Sequence, residues 1–332
     1  MKLAKNLERL GTESAFKILA EAKKLENEGK EIIHLSLGQP DFKTPKHIVD
    51  ATKKALDDGH HGYVLPNGII ECRKAVTRKI KSLYKVDIDP ERVIIMPGGK
   101  PTMYYAITLF GEPGAEIIYP DPGFPIYESM INYTGAKAVP INILENKDFS
   151  MNPQKILSLI NDKTRLIIIN NPNNPTGSMV DAAKLTAFAK RVSKKAQVFI
   201  DEAYIEMSDA YPANVQSKLV AEGHNVVICR TFSKIHAMAG QRLGYAIMPS
   251  EQAKTMGGML RMGMTQRAVF MFGLLAAIWL FPWTQPRAQT ATVGDLEQQF
   301  EQASQQAPFT THGLSLSIGS RDKLDTQFVK RE

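Results

Sequence analysis

Between about residues 45 and 250 the chain alternates short apolar runs with longer stretches of helical periodicity, and this alternation restricts the fold more than any other feature. The runs fall at Arg92–Met96, Glu116–Tyr119, Ala138–Ile141, Arg165–Ile169, Gln197–Ile200, Val226–Arg230 and Gly244–Met248. Several are separated by ten or more residues with a helical repeat, as in Ala182–Lys195. Apolar runs of strand length joined by helical segments are the signature of βαβ units, so the pattern predicts an α/β fold with a mostly parallel central sheet flanked by helices. A chain of 332 residues with 43% hydrophobic content can bury a sizeable core, as two domains or as one large domain with an appendage.

Charge and cysteine usage narrow the function classes. The net charge is +7 with a pI near 9.2. The basic residues are dispersed and no aromatic-interleaved basic motif occurs, so nucleic acid is not an expected partner. The densest basic stretch, Arg73 to Lys85, spaces its charges like the solvated face of a helix. With Cys72 and Cys229 as the two cysteines, there is neither a disulfide framework nor a CxxC metal site, which favours a reducing compartment. The amino terminus is amphipathic and charged, without the apolar core of a signal peptide, and a cytoplasmic protein is expected.

Polar or Gly-rich loops follow the predicted strand ends: Gly98–Lys100, Asp121–Tyr127, Asn170–Gly177, Asp201–Tyr204 and the segment from Thr231. Open α/β sheets bind ligands at the carboxyl ends of their strands, so five such loops at one edge point to a composite site. PGGK at Pro97–Lys100, ahead of a helical pattern starting near Thr102, offers backbone N–H groups at a helix amino terminus to a phosphate, without P-loop spacing. Phe124, held between Pro122 and Pro125, can stack on a planar ring or belong to the core. NNPNNPTG at Asn170–Gly177 must turn and present its Asn side chains. Asp201 ends a buried strand, where a carboxylate is costly unless paired; a protonated heterocyclic nitrogen would pair it, while capping the next helix is the alternative. Tyr204, three residues on, can donate to an oxygen of the same ring.

Lys234 lies in TFSKIHAMAGQRLGY, eight residues before Arg242. The preceding apolar run delivers Thr231, Ser233 and Lys234 to its carboxyl end. There Lys234 can form a Schiff base, and the two hydroxyls with Arg242 can hold a dianionic phosphate. The segment alone also fits a solvated lysine and a surface ion pair.

In their order along the chain, NPNNPTG, DEAY and SKxxxxxGxRxGY resemble the class I and II aminotransferases of fold type I, the pyridoxal 5′-phosphate (PLP) enzymes that include aspartate, aromatic and histidinol-phosphate aminotransferases. The resemblance covers roughly residues 10 to 250. It implies a fold type I large domain at 46–250, a small-domain and interface arm at 1–45, and a shortened small domain at 251–332. It implies that Lys234 carries the internal aldimine, that Asp201 pairs with the pyridinium nitrogen, and that Asn174 and Tyr204 hold the ring's 3′ oxygen. It further places Phe124 against the ring and Gly99, Lys100, Thr231, Ser233 and Arg242 around the phosphate. Tyr63, in GYVLPNG, looks like the tyrosine that reaches the neighbouring subunit's phosphate, and Gly38, in LSLGQPDF, like a backbone contact to substrate carboxylate. A homodimer, an amino acid and a 2-oxo acid are the implied partners, and ping-pong transamination the implied reaction. Another PLP activity, such as a β-lyase or decarboxylase, uses the same cofactor residues.

The carboxyl-terminal third departs from the family's pattern. GLSLSIGSRDKLDTQF, Gly313–Phe328, is similar to the family's closing strand, but Ser315 stands where an arginine for the substrate carboxylate is expected, and a hydroxyl cannot replace a bidentate guanidinium. A PLP-binding protein with impaired catalysis is therefore a further alternative. Residues 264–291 have a basic start, an apolar stretch at 268–283 and a polar end, the layout of a signal peptide in mid-chain. That stretch is 16 residues long and contains Pro282, so it is short for a membrane span; a packed helix and a foreign junction are the other readings.

Overall fold

All seven predicted strands form, and they make one sheet. A computed structural model describes residues 2–11, 14–34 and 37–263. The strands are β1 (Val93–Met96), β2 (Glu116–Asp121), β3 (Lys137–Asn142), β4 (Thr164–Asn170), β5 (Gln197–Asp201), β6 (Val226–Thr231) and β7 (Gly244–Ile247). Their order across the sheet is β1-β7-β6-β5-β4-β2-β3. β7 runs antiparallel to both neighbours and every other pairing is parallel, which matches the expected mostly parallel sheet.

The helices are α1 (Ser14–Asn27), α2 (Lys46–Asp57), α3 (Ile70–Tyr84), α4 (Gly99–Phe110), α5 (Ile126–Thr134), α6 (Pro153–Leu159), α7 (Ala182–Val192), α8 (Ser217–Ala221) and α9 (Ser250–Gly263). Successive strand residues point to opposite faces, so a strand covered on both sides must be apolar throughout. β4 shows this directly. Ile167 and Ile169 join Val76 and Ile80 of α3 and Leu185 and Phe188 of α7 in one core layer. Leu166 and Ile168 join Met103 and Ile107 of α4, Tyr127 and Ile131 of α5, and Met256 and Leu260 of α9 in the other. Each such fully buried Ile or Leu stabilises the fold by roughly 1.5–3 kcal/mol relative to exposure.

Two local expectations need correction. The helix after PGGK begins at Gly99 rather than near Thr102, because the glycine pair itself turns into the first helical residues. The basic stretch on α3 is not wholly solvated. Arg73 is buried and donates from Nη1 to Glu91 Oε1 at 2.8 Å, and burial pushes the Lys79 ammonium below its ordinary range. The helix turns these two positions inward, and a long basic side chain can bury its stem where an acid or carbonyl meets its head. Ser315, the 268–283 stretch and the rest of the chain after 263 lie outside the described residues. Among the described residues no helix is long and apolar enough to cross a membrane, and no cluster of His, Cys, Asp and Glu is arranged to hold a metal ion.

Candidate active site

Parallel register sets the site. Asn170 of β4 lies opposite Asp201 of β5, and Asp201 lies opposite Cys229 of β6, so the polar residues that end these strands line up along one edge. Asp201 is 2% exposed. Its Oδ2 accepts from Tyr127 Oη at 2.6 Å and its Oδ1 from the Ala203 N–H at 3.0 Å. Burial pushes this carboxyl above the usual carboxylate range, opposed by the Tyr127 hydrogen bond, the Ala203 N–H and the charge of Lys234. Asp201 accepts the N–H two residues on but does not cap the next helical turn, Ile205–Met207, whose N-cap is Tyr204 without a side-chain cap bond; it remains a buried acid without a cation at ion-pair distance among the described residues.

Lys234 lies on the loop after β6, near enough for its charge to act on this carboxyl. Its Nζ donates to the Gly38 carbonyl at 2.6 Å and lies 5.0 Å from the centre of the Tyr204 ring. Tyr204 Oη in turn accepts from Asn174 Nδ2 at 3.2 Å. Residues from four separate segments, 38, 174, 204 and 234, thus lie together.

A second corner forms where β1 ends and β7 begins. Thr231 Oγ1 donates to Ser233 Oγ at 2.9 Å and accepts the Ser233 N–H at 3.1 Å, which brings the two hydroxyls together. Gly99 packs beside Thr231 and Cys229. Arg242 adopts a left-handed conformation with φ 54°, and its guanidinium donates to Ala239 O at 2.7 Å and Pro97 O at 3.3 Å. Gly98 has φ 102°, and a Cβ there would lie 3.0 Å from Arg242 Cζ. That φ favours glycine, and a side chain here would push against the guanidinium. Lys100 Nζ sits 5.4 Å from the Phe124 ring centre, and Phe124 packs edge-to-face on Tyr127 at 6.0 Å. Tyr63 is not part of this gathering: its side chain is 90% exposed.

The sequence reading gave no role to two features. Tyr127 is fully buried, 74 residues from the acid it contacts. Behind the site, Arg230 Nε and Nη2 meet Glu202 Oε2 at 2.8 and 2.7 Å, with side chains 3% and 1% exposed. Arg230 Nη1 also donates to Glu206 Oε1 at 2.9 Å and Tyr84 Oη at 3.1 Å. Because strand side chains alternate, Glu202 faces away from Asp201, and this ion pair joins the ends of β5 and β6 from the opposite face. An arginine inside the apolar run VVICRT was the available signal.

The arrangement fits PLP on its own geometry. A buried, cation-poor carboxylate suits a protonated ring nitrogen. A Tyr–Asn pair suits a phenolate oxygen, and two hydroxyls, a helix amino terminus at Gly99 and a guanidinium suit a phosphate.

Comparison with known proteins agrees. The family described as Aminotransferase class I and II matches residues 30–308, running past the stretch near 250 where the recognisable motifs stop. An aspartate aminotransferase of Bacillus subtilis is 31% identical over 260 residues, 77% of this chain and 66% of that protein. One of Pyrococcus horikoshii is 38% identical over 233 residues, 68% of this chain and 58% of its own length. A Methanocaldococcus jannaschii protein named (5-formylfuran-3-yl)methyl phosphate transaminase is 34% identical, over 75% of this chain and 64% of its length. The chain thus spans less than two thirds of the length of these relatives. The solved structure of Thermus thermophilus aspartate aminotransferase with maleate superposes with a TM-score of 0.78 at 25% identity, covering 92% of this chain and 76% of that one. With the family's pattern matched over most of its length and its strand-end residues gathered at one sheet edge, the chain belongs to the class I and II aminotransferases, whose cofactor is pyridoxal 5′-phosphate.

Proposed function

We propose that this protein transfers the amino group of an L-amino acid to a 2-oxo acid in two half-reactions, ping-pong fashion, with Lys234 as the catalytic residue. The observation that carries this reading is Lys234 on the loop after β6, its Nζ 5.0 Å from the Tyr204 ring and bonded to Gly38 O, beside the strand β5 that ends in the buried acid Asp201. PLP, when bound, supplies an electron-withdrawing ring that accepts the charge left when the substrate's Cα loses its proton.

The chain's own groups orient that chemistry. Lys234 would hold the cofactor through its Nζ, and its amine would move the proton at the substrate's Cα. Asp201 keeps the ring nitrogen protonated. Asn174 and Tyr204 hold the 3′ oxygen, and Phe124 packs against the ring. Gly99, Lys100, Thr231, Ser233 and Arg242 surround the phosphate, and the Gly38 backbone faces the substrate carboxylate. The exposure of Tyr63 supports its service to the site of a second copy in a homodimer.

The test is direct. Apoprotein mixed with PLP acquires the visible absorbance of a lysine-bound cofactor, and Lys234→Ala does not. Adding L-aspartate or another amino acid to the wild type then yields one equivalent of keto acid and pyridoxamine phosphate. Lys234→Ala lowers that half-reaction at least about a thousandfold. Ammonia plus pyruvate as products would replace transamination by elimination, and absence of the band would remove Lys234 as anchor.

A further inference from the structure

The acid proposed above to meet the ring nitrogen does not hold its own orientation. One side chain reaches it among the hydrogen bonds of the described residues: Tyr127, whose hydroxyl lies 2.6 Å from Asp201 Oδ2. Tyr127 sits in the first turn of α5 and is wholly buried between the helix and the sheet. Its ring belongs to the same buried core layer as Met130 and Ile131 of its own helix and Phe199 of β5. The same ring meets Phe124 edge-to-face, so the face presented to the cofactor and the acid beneath it share one support.

We propose that Tyr127 is a positioning residue that fixes the Asp201 carboxylate for the pyridine nitrogen of PLP; the inference rests on the reading of Asp201 given above. The Ala203 N–H on Oδ1 is a single donor and leaves the carboxylate free to pivot about that contact. The phenol supplies the second point and fixes the plane. Burial and the neighbouring carboxylate both push the phenol well above its ordinary range, so it keeps its proton and remains the donor. The other ionisable groups around the acid are Lys234 on the loop after β6, Tyr204 on the loop after β5 and Cys229 in β6. Of these Lys234 alone is cationic, and it is held by Gly38. Without the phenolic donor the acid loses its main hydrogen-bonding stabilisation as an anion and its fixed plane, and both costs fall on the binding step.

The experiment uses pyridoxamine 5′-phosphate, which carries the ring and phosphate but forms no bond to a lysine. Its affinity for the apoprotein is measured by titration calorimetry for wild type, Tyr127→Phe, Asp201→Ala and the double variant. Tyr127→Phe keeps the ring in the core and is expected to weaken binding roughly tenfold or more, with the apoprotein still folded by circular dichroism. In the Asp201→Ala background the same substitution changes nothing further, because its target is gone. Tyr127→His, which restores a ring donor, recovers part of the loss and serves as the second variant if the phenylalanine chain does not fold. Wild-type affinity in Tyr127→Phe, or full additivity of the two losses, overturns the proposal, since additivity is the result of a packing role alone. Wild-type affinity in Asp201→Ala would instead overturn the underlying assignment of Asp201 and is thereby distinguished.

Discussion

Two residues beyond the proposed anchor, His236 makes the stability of this protein sensitive to mild acid. The side chain is buried against Phe232, with ring centres 5.0 Å apart. Burial, and after it the positive charges of Lys79, His47 and Arg230, push its pKa from the ordinary value of 6.5 down to about 3. The unfolded chain therefore takes up a proton near pH 6.5 that the folded chain refuses until about pH 3, and stability present above that window is lost as the pH falls through it. Carried through the linkage relation, one such histidine removes about 2 kcal/mol between pH 8 and pH 5, and about 3 kcal/mol by pH 4. His236→Phe keeps a ring against Phe232 and cannot titrate. Urea unfolding of both apoproteins at pH 8 and pH 5, followed by circular dichroism, isolates the effect. Every other titrating group is common to both chains and cancels in the difference. The wild type is expected to lose about 2 kcal/mol more than the variant over this interval. Equal losses, within about 0.5 kcal/mol, would refute the reasoning, because they would mean that the folded protein protonates His236 as readily as the unfolded chain does.

Two further substitutions probe the ends of the strands. Glu202→Gln breaks a buried ion pair whose guanidinium keeps Glu206 and Tyr84 as partners, so the apoprotein loses about 3 kcal/mol, the low end for such pairs, in a urea unfolding midpoint; a loss below about 1 kcal/mol would show that the remaining partners suffice. Gly98→Ala places a Cβ against Arg242 in a backbone region that side chains avoid, and lowers PLP affinity by roughly tenfold in an absorbance titration; unchanged affinity would mean that Arg242 does not depend on this turn.

What the sequence made readable is what local pattern controls. The run Arg165–Ile169 announced β4 because a strand buried on both faces has to be continuously apolar, and the structure extends it by one residue at each end. Asp201 announced a pairing problem because a carboxylate directly after Val198, Phe199 and Ile200 cannot be solvated. Tyr127 was not readable in the same way, and the Glu202–Arg230 pair only through the arginine set in an apolar run. Their significance lies in partners 74 and 28 residues away, and nothing local distinguishes a buried phenol with an acid above it from a buried phenol without one. Arg73 fails for a related reason: its spacing on α3 is that of a surface charge, and the Glu91 that meets it belongs to the next connection.

The antiparallel strand β7 explains how the phosphate corner is assembled. A sheet of parallel strands exposes their carboxyl ends at one edge, and each following loop leaves from that edge. β7 is inserted between β1 and β6 in the opposite sense, so the edge at which β1 and β6 end is the edge at which β7 begins. Gly244 consequently pairs with Met96 on one side and Thr231 on the other. The chain entering β7 carries Arg242 onto the same edge, where its guanidinium meets Pro97, 145 residues away. Had β7 been parallel, its entrance would lie at the far edge of the sheet, and the arginine two residues before it could not reach the Gly98 turn. The proposed phosphate site is thus a consequence of strand direction, with the hydroxyls arriving on a strand that ends there and the guanidinium on one that starts there.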